Sequence, residues 1–321
     1  MMFERFCRSG SSGVDLYLTY NAPRRSVRER GGGVPYVVLA GDVEGMRSGI
    51  PTDAEREMYQ NAHAIITGCL PVALWLHEHY GVTAELVPVL PLERDLDFEP
   101  HETIPKTCVY AGGLIPWESK DKLFGYKALH DVFKAVINAG WEMHGYCLNH
   151  SVRKEYEDMG VIWHDPVHPG ALYKELSRYA VGLQAFSRTG TKESRAYARI
   201  AVPNKAYDYI GAGIPVLGYN TSVDYTGSGA NIKSLRQMKA GLESASRVKP
   251  RPPKVIDDYA HVFERIVSTV PARPDTRRYT LGIPKTVRLG DCSFAPGDTV
   301  THAQAVALRD AGLIAGKGME G

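Results

Sequence analysis

Short apolar runs alternate with amphipathic stretches along most of the chain, the pattern of a parallel sheet covered by helices. Strands are predicted at Val14–Tyr20, Pro35–Ala40, Ala64–Thr67 and Glu85–Val89. Between them, Thr52 with Glu55 three residues later reads as a capping box opening a helix over Thr52–Asn61. A second helix over Pro71–Tyr80 stops at Gly81. The proline-rich stretch Pro88–Lys106 has no helical period and reads as a linker.

The cycle then restarts. Strands are predicted at Cys108–Ala111, Glu142–Leu148, Val161–Trp163, Ala180–Ala185 and Pro215–Gly218. The helices between and after them are Leu123–Ala139, Val152–Met159, Gly170–Tyr179, Pro203–Ala212 and Leu235–Ser246. The stiff connector KPRPPK precedes an amphipathic helix over Ile256–Thr269. Beyond it, Thr286–Asp298 reads as a hairpin and Thr301–Gly312 as a capped helix. The expected fold class is therefore α/β: two Rossmann-like lobes, the first shortened, with a small C-terminal appendage. The expected boundaries are 1–105 with the linker, 106–253, a return helix over 254–275, and a small module over 276–321.

Composition narrows the class. Across 321 residues, 44% apolar and 23% charged side chains exclude a disordered or fibrous protein. With 38 basic and 36 acidic side chains the formal charge is +2, which argues against a surface coated in cation to grip nucleic acid. The five cysteines (Cys7, Cys69, Cys108, Cys147 and Cys292) contain no C-x-x-C pair, so neither a disulfide framework nor a zinc site is expected. There is no apolar run of the roughly 18 residues that a membrane span needs. The opening MMFERFCRSGSSG has no continuous apolar core. A cytoplasmic location is expected.

Candidate chemistry concentrates in Val181–Tyr219. Its helix begins with Pro203 and ends at Gly213, and Val202, at the N-cap position, has no side-chain oxygen to accept a backbone N–H. Open donors beside Asn204 and Lys205 form a ready anion site. Asp208 stands four residues beyond Asn204 on the same helix face, placed to accept hydrogen bonds from a ribose diol. The bland alternative is an ordinary proline-to-glycine helix with a solvated aspartate.

Three segments carry a family resemblance: YAGGL before a charged loop; GVIWHDPVHPGALYKELSRYAVGLQAF; and PNKAYDYIGAGIPVL. Together they resemble the nucleotide-sugar-binding half of GT-B glycosyltransferases, particularly the retaining bacterial enzymes, with aspartate where that family usually has glutamate. The segment AEREMYQNAHAIITGCLPVALWLHEHYGV is similar to the end of the family's first domain. The resemblance implies that Gly112 and Gly113 let the backbone approach the donor's phosphates and that Lys120 or Lys122 neutralises them. It further places His164 near the nucleobase, Asn204 and Lys205 at the diphosphate, and Asp208 at the ribose. Arg188, with Lys192, Arg195 and Arg199 in what reads as a loop before Pro203, would add positive charge. No metal or cofactor is implied beyond the nucleotide-sugar co-substrate.

Two departures stand out. The first acid of the family's paired-glutamate motif has no counterpart, since Ile200 lies eight before Asp208 and Glu193 is displaced. The opening glycine-rich loop is also unrecognisable. An inverting reaction would need a general base, for which Asp42 and Glu44 after the second strand are the candidates; a retaining one would not. The sole Asp-x-Asp, Asp95–Asp97, falls in the linker and reads as chance. The basic run Arg24–Arg30 would attract a polyanionic acceptor, or is simply solvated. The tail resembles small segments of phage proteins, which would put the enzyme in a host cytoplasm and make DNA with modified bases one acceptor, beside protein or glycan. The rival readings are a nucleotide-sugar epimerase on the same fold and a noncatalytic binding or virion-associated protein.

Overall fold

The computed structural model describes residues 17–20, 36–41, 43–88, 90–91, 93–120, 122–201, 204–250 and 255–269. It also describes short strands at 278–281, 287–289, 292–294, 299–301 and 319–320. The chain divides into two compact units, Met1–Ser9 with Leu16–Val270, and Gly10–Asp15 with Pro271–Gly321.

In the larger unit, the strands expected near the start form a parallel sheet in the order β1–β2–β3–β4, from β1 (Tyr17–Tyr20), β2 (Tyr36–Leu39), β3 (Ala64–Thr67) and β4 (Glu85–Leu86). Their connections are α1 (Glu44–Ser48), α2 (Asp53–Gln60) and α3 (Leu70–Tyr80). The predicted cap on α2 is present, as Glu55 N donates to Thr52 Oγ1 at 3.2 Å. The other half of the capping box is not. The Glu55 carboxylate turns away from its own helix and accepts from Glu44 N at 2.9 Å and Gly45 N at 2.8 Å, so it caps α1 instead. Helix α3 stops where expected, with Gly81 left-handed at φ 69°.

The second sheet is parallel and six-stranded, in the order β10–β9–β8–β5–β6–β7. Its strands are β5 (Ile104–Ala111), β6 (Glu142–Tyr146), β7 (Ile162–His164), β8 (Tyr179–Ala185), β9 (Val216–Tyr219) and β10 (Gly229–Ile232). Helices α4 (His130–Asn138), α5 (Arg153–Glu157) and α6 (Leu172–Leu176) lie among the first strands. Helices α7 (Lys192–Ile200), α8 (Asn204–Gly211) and α9 (Met238–Ala245) follow β8. One face buries Leu129, Phe133, Met143, Val181, Leu183 and Leu217; the other buries Val109, Leu176, Tyr209 and Val216. The strand order reverses between β5 and β8, where an open α/β sheet leaves a crevice at its carboxyl edge.

Helix α10 (Ala260–Ser268) returns to the first sheet. Val262, Phe263 and Ile266 pack on Val37, Ile66 and Val87, and Arg265 pairs with Glu85 at 2.7 Å.

Several expectations change. The helix predicted over Leu123–Ala139 begins only at His130: Gly125–Lys127 forms a separate 3-10 turn, in which the Gly125 carbonyl accepts from Ala128 N and from Thr189 Oγ1 while the Tyr126 carbonyl accepts from Ser187 N. The stretch read as a basic loop before Pro203 is helix α7, capped by Thr191 accepting from Ser194 N at 3.0 Å. The linker contains a 3-10 turn over Glu93–Leu96, and β5 starts at Ile104, inside its expected end. Strand β10 and helix α1 were not expected.

In the smaller unit, β11 (Arg278–Leu281) pairs antiparallel with β14 (Thr299–Thr301) and β15 (Met319–Glu320). The expected hairpin is present as β12 (Val287–Leu289) against β13 (Cys292–Phe294). The helix predicted over Thr301–Gly312 and the basic run Arg24–Arg30 lie outside the described residues.

Candidate active site

A cleft of about 450 Å³ opens between the two sheets of the larger unit. The first sheet contributes Leu39–Gly41 and Ile66–Cys69 from the carboxyl ends of β2 and β3. The second contributes the turn after β5 (Tyr110–Gly113), Tyr126, Lys127 and the start of α8 with Asn204, Lys205 and Asp208. The walls are tied across the gap: Tyr197 OH donates to the Gly41 carbonyl at 2.9 Å, and Cys69 Sγ to the Ile200 carbonyl at 3.3 Å. Arg47, buried on α1, lays its guanidinium over Phe124 at 4.8 Å and Tyr197 at 5.3 Å.

Lys205 is the electrostatic centre. Its Nζ donates to Tyr110 OH at 2.8 Å and lies 4.0 Å from the Tyr110 ring centre. Burial, with the nearby Lys127 cation second, pulls its pKa down to about 7. The Asp208 carboxyl moves the opposite way, pushed up to about 6 by burial, although Tyr173 OH donates to Oδ1 at 3.1 Å.

The turn after β5 is shaped for close approach. A Cβ on Gly112 would meet Lys205 Nζ at 3.1 Å, whereas one on Gly113 would meet nothing nearer than Lys127 at 3.8 Å. Gly112 N donates to the Tyr146 carbonyl at 3.0 Å, Tyr110 OH to the Gly113 carbonyl at 3.1 Å, and Ala111 N to the buried Tyr209 hydroxyl at 2.9 Å.

Gly112, Gly113, Asn204, Lys205 and Asp208 therefore come together, and the start of α8 faces the gap. Its cap position, Val202, and Pro203 lie outside the described residues. Lys120 and Lys122 are exposed and do not line the cleft; Lys127, further along the same loop, does. Arg188 lines a different cavity and donates to the Lys233 carbonyl at 3.1 Å. His164 stacks on Tyr146 with ring centres 4.7 Å apart and meets His144 across a 2.9 Å N···N contact. Burial lowers the pKa of both histidines.

His164 itself is absent from the apolar recess of about 320 Å³ that opens beside Gly112 and Gly113; Tyr146, Leu148, Pro166, Val167 and Leu172 form its walls. Glu44 holds Arg47 at 3.1 Å and is not in the cleft lining, while Asp42 lies outside the described residues. Glu193 sits against Gly49, so the displaced acid does not take up the missing glutamate's place. Sequence reasoning passed over Lys127, Tyr110 and Tyr197. A lysine three residues before a helix start, and a tyrosine next to the end of the strand before a double glycine, were the available signals.

Solved structures share this architecture. An α,α-trehalose-phosphate synthase (UDP-forming) from Burkholderia xenovorans, in complex with glucose-6-phosphate, is 10% identical; the match covers 83% of this chain and 76% of that one, with a TM-score of 0.53. Another structure of a UDP-forming synthase from that organism is 12% identical, covering 84% and 76%, with a TM-score of 0.52. The pneumococcal O-GlcNAc transferase GtfA, in complex with UDP and GlcNAc, is 14% identical, covering 83% of this chain and 57% of that one, at 0.50. The fold is GT-B. No protein-family model matches the sequence, and no curated protein matches it either. At these identities the likeness is one of architecture. The chain spans about three-quarters of each synthase and little more than half of the transferase.

Proposed function

We propose that this GT-B chain is a glycosyltransferase that moves a sugar from a nucleoside diphosphate to an acceptor hydroxyl. The observation that carries the reading is the convergence of the Gly112–Gly113 turn, Lys127 and Lys205 on one side of an interlobe cleft. The neighbouring synthases are described as UDP-forming, and the transferase structure holds UDP, so a uridine diphosphate donor is the first to test. In this reading the diphosphate lies on the glycine turn and the α8 start. The base enters the apolar recess beside Val167, and the ribose meets Asp208.

Breaking the C1–O bond leaves negative charge on the departing diphosphate, and the chain's own groups answer it. Lys205 takes up a proton as the anion arrives, and Lys127 adds a second cation. Charge stabilisation of this kind requires no metal in the proposed reaction. The acceptor approaches from the Gly41 and Gly68 side of the cleft. We propose retention at the anomeric carbon, because Asp208, on the donor wall, is the sole carboxylate among the described lining residues.

The test is binding followed by turnover. UDP-, GDP-, ADP- and dTDP-sugars are titrated against the full chain, and donor consumption is followed by NMR with and without candidate acceptors. Slow release of free sugar, abolished in Lys205→Ala, is expected from the preferred donor. Conversion to an epimeric donor sugar would identify an epimerase, and failure of every donor to bind would end the transferase reading.

A further inference from the structure

A second cavity, of about 460 Å³, lies on the other side of the wall formed by Tyr126–Ala128 and Phe186–Ser187. Lys127 and Phe186 face the interlobe cleft, whereas their chain neighbours Ala128 and Ser187 face this cavity. It occupies the carboxyl edge of the second sheet beyond β8, β9 and β10, where open α/β sheets hold ligands. Its lining is Ser187 and Arg188 after β8, Tyr219 at the end of β9, Ser234 and Arg236 after β10, and Asp131 with its neighbours at the start of α4.

The charges are arranged in two parts. Arg188 and Arg236 are both exposed, and neither has a carboxylate partner among the described residues. The Arg188 guanidinium is anchored by donating to the Lys233 carbonyl at 3.1 Å, and Arg195 Nη1 donates to the Arg188 carbonyl at 3.0 Å, adding a third cation behind the first. Asp131 opens into the same cavity from the first turn of α4 and forms no ion pair with either lining arginine. Arginine forks match the oxygens of a phosphate. A separate carboxylate, lining the same cavity as Ser234, accepts from hydroxyl groups and rejects a second anion. A bare anion site would have no use for Asp131.

We infer that this cavity is a binding site for a phosphorylated sugar or sugar alcohol, with the phosphate between Arg188 and Arg236 and the hydroxyls on Asp131. The site shares no lining residue with the interlobe cleft and does not depend on that cleft binding a nucleotide sugar. Its position behind Lys127 and Phe186 places a bound ligand one residue from the donor wall along each of two chain segments.

The test uses ribose 5-phosphate, inorganic phosphate and ribose as probes of the full chain, read by ligand-observed NMR and calorimetry. Ribose 5-phosphate is expected to bind in the millimolar range, more tightly than phosphate, with ribose alone undetectable. Arg188→Ala and Arg236→Ala each weaken it about tenfold or more. Both side chains are exposed, so unchanged melting confirms that these variants fold. Lys205→Ala leaves the affinity unchanged, which separates this site from the donor cleft. Asp131→Asn removes the preference for the sugar phosphate over phosphate. No binding to the wild type, loss in Lys205→Ala, or equal tightening of both anions in Asp131→Asn would each overturn the assignment.

Discussion

Lys205 Nζ lies 2.8 Å from the Tyr110 hydroxyl and over the same ring, directly beside the Gly112 turn. The chain thus holds a lysine where water cannot solvate it well, with a second lysine rather than a carboxylate as its strongest charged neighbour. A charged ammonium held there costs stability, because burial and the second lysine both disfavour the charge.

The first prediction follows from that cost. Lys205→Met keeps the apolar stem and removes the buried charge. Because the folded pKa is near 7 against an unfolded value near 10.5, the penalty is complete below pH 7 and relieved as pH rises towards 10.5. The variant should therefore gain about 1–3 kcal/mol at pH 6, and less at pH 9. Its affinity for the preferred nucleotide sugar should fall more than about tenfold. Denaturant melts at the two pH values check the sign; a destabilised variant at pH 6 would contradict it.

Donor binding should itself titrate. The diphosphate of a UDP-sugar stays doubly charged across the neutral range and prefers Lys205 protonated. Affinity should then fall about tenfold per pH unit above 7. Below about 6, Asp208 takes up a proton and becomes a weaker acceptor for the ribose hydroxyls, so affinity falls again. A narrow optimum between the two is expected in calorimetric titrations of UDP-glucose, with net proton uptake at pH 8 shown by the dependence of the heat on buffer. A flat profile from pH 5.5 to 8.5 would refute the assignment of both groups.

How much of this was readable in the sequence depends on what each residue needs nearby. Helix α8 was legible because proline and glycine mark its ends, and the Gly112–Gly113 turn because no other pair follows an apolar strand so directly. Lys127 was not, because its place in the cleft comes from the Gly125–Lys127 turn, which Ser187 and Thr189 fix from another part of the chain. Helix α7 hid behind its charges: its buried side is only Ser194, Tyr197 and Ala198, too small an apolar stripe to outweigh Lys192, Arg195 and Arg199. His164 does not line the recess that Tyr146 helps to wall; it stacks on Tyr146, a tertiary outcome with no local signature.

The turn after β5 is held by Tyr146 and Tyr110 at its two glycines and by the Tyr209 hydroxyl at the residue before them. Tyr209 accepts from Ala111 N and lies against Gly182, where a Cβ would come within 2.3 Å of the ring. Tyr209→Phe keeps the ring and leaves the Ala111 N–H without that acceptor, at a cost of about 1–3 kcal/mol. Since Ala111 directly precedes Gly112, nucleotide affinity should drop with it, whereas ribose 5-phosphate affinity at the second cavity should not. Gly182→Ala should prevent folding. Thermal melts and parallel titrations of the two ligands decide; equal loss of both would mean that the ring, rather than the turn, had been disturbed.

Glu55 offers the sharpest test of how the first lobe shapes the cleft. Its carboxylate is 1% exposed and accepts from Glu44 N, Gly45 N and Tyr80 OH, the last at 2.7 Å. Helix α1 is only five residues long, and Val43 at its start supplies no side-chain cap, so Glu55 closes its N-terminal donors from outside. Glu55→Ala would leave three donors without that partner, two of them buried, and should cost about 3 kcal/mol. Glu55→Gln should recover part of that, because its amide oxygen accepts one N–H while its NH₂ confronts the other. Tyr80→Phe should lose only about 1 kcal/mol. Helix α1 packs on α7 through Arg47, whose guanidinium covers Tyr197, so its loosening should reach the cleft wall. Hydrogen exchange is the discriminating measurement. In Glu55→Ala, amides of residues 44–48 should exchange faster than those of α2 under native conditions, and a uniform rise across both helices would show that Glu55 supports the whole lobe and not the entry to α1.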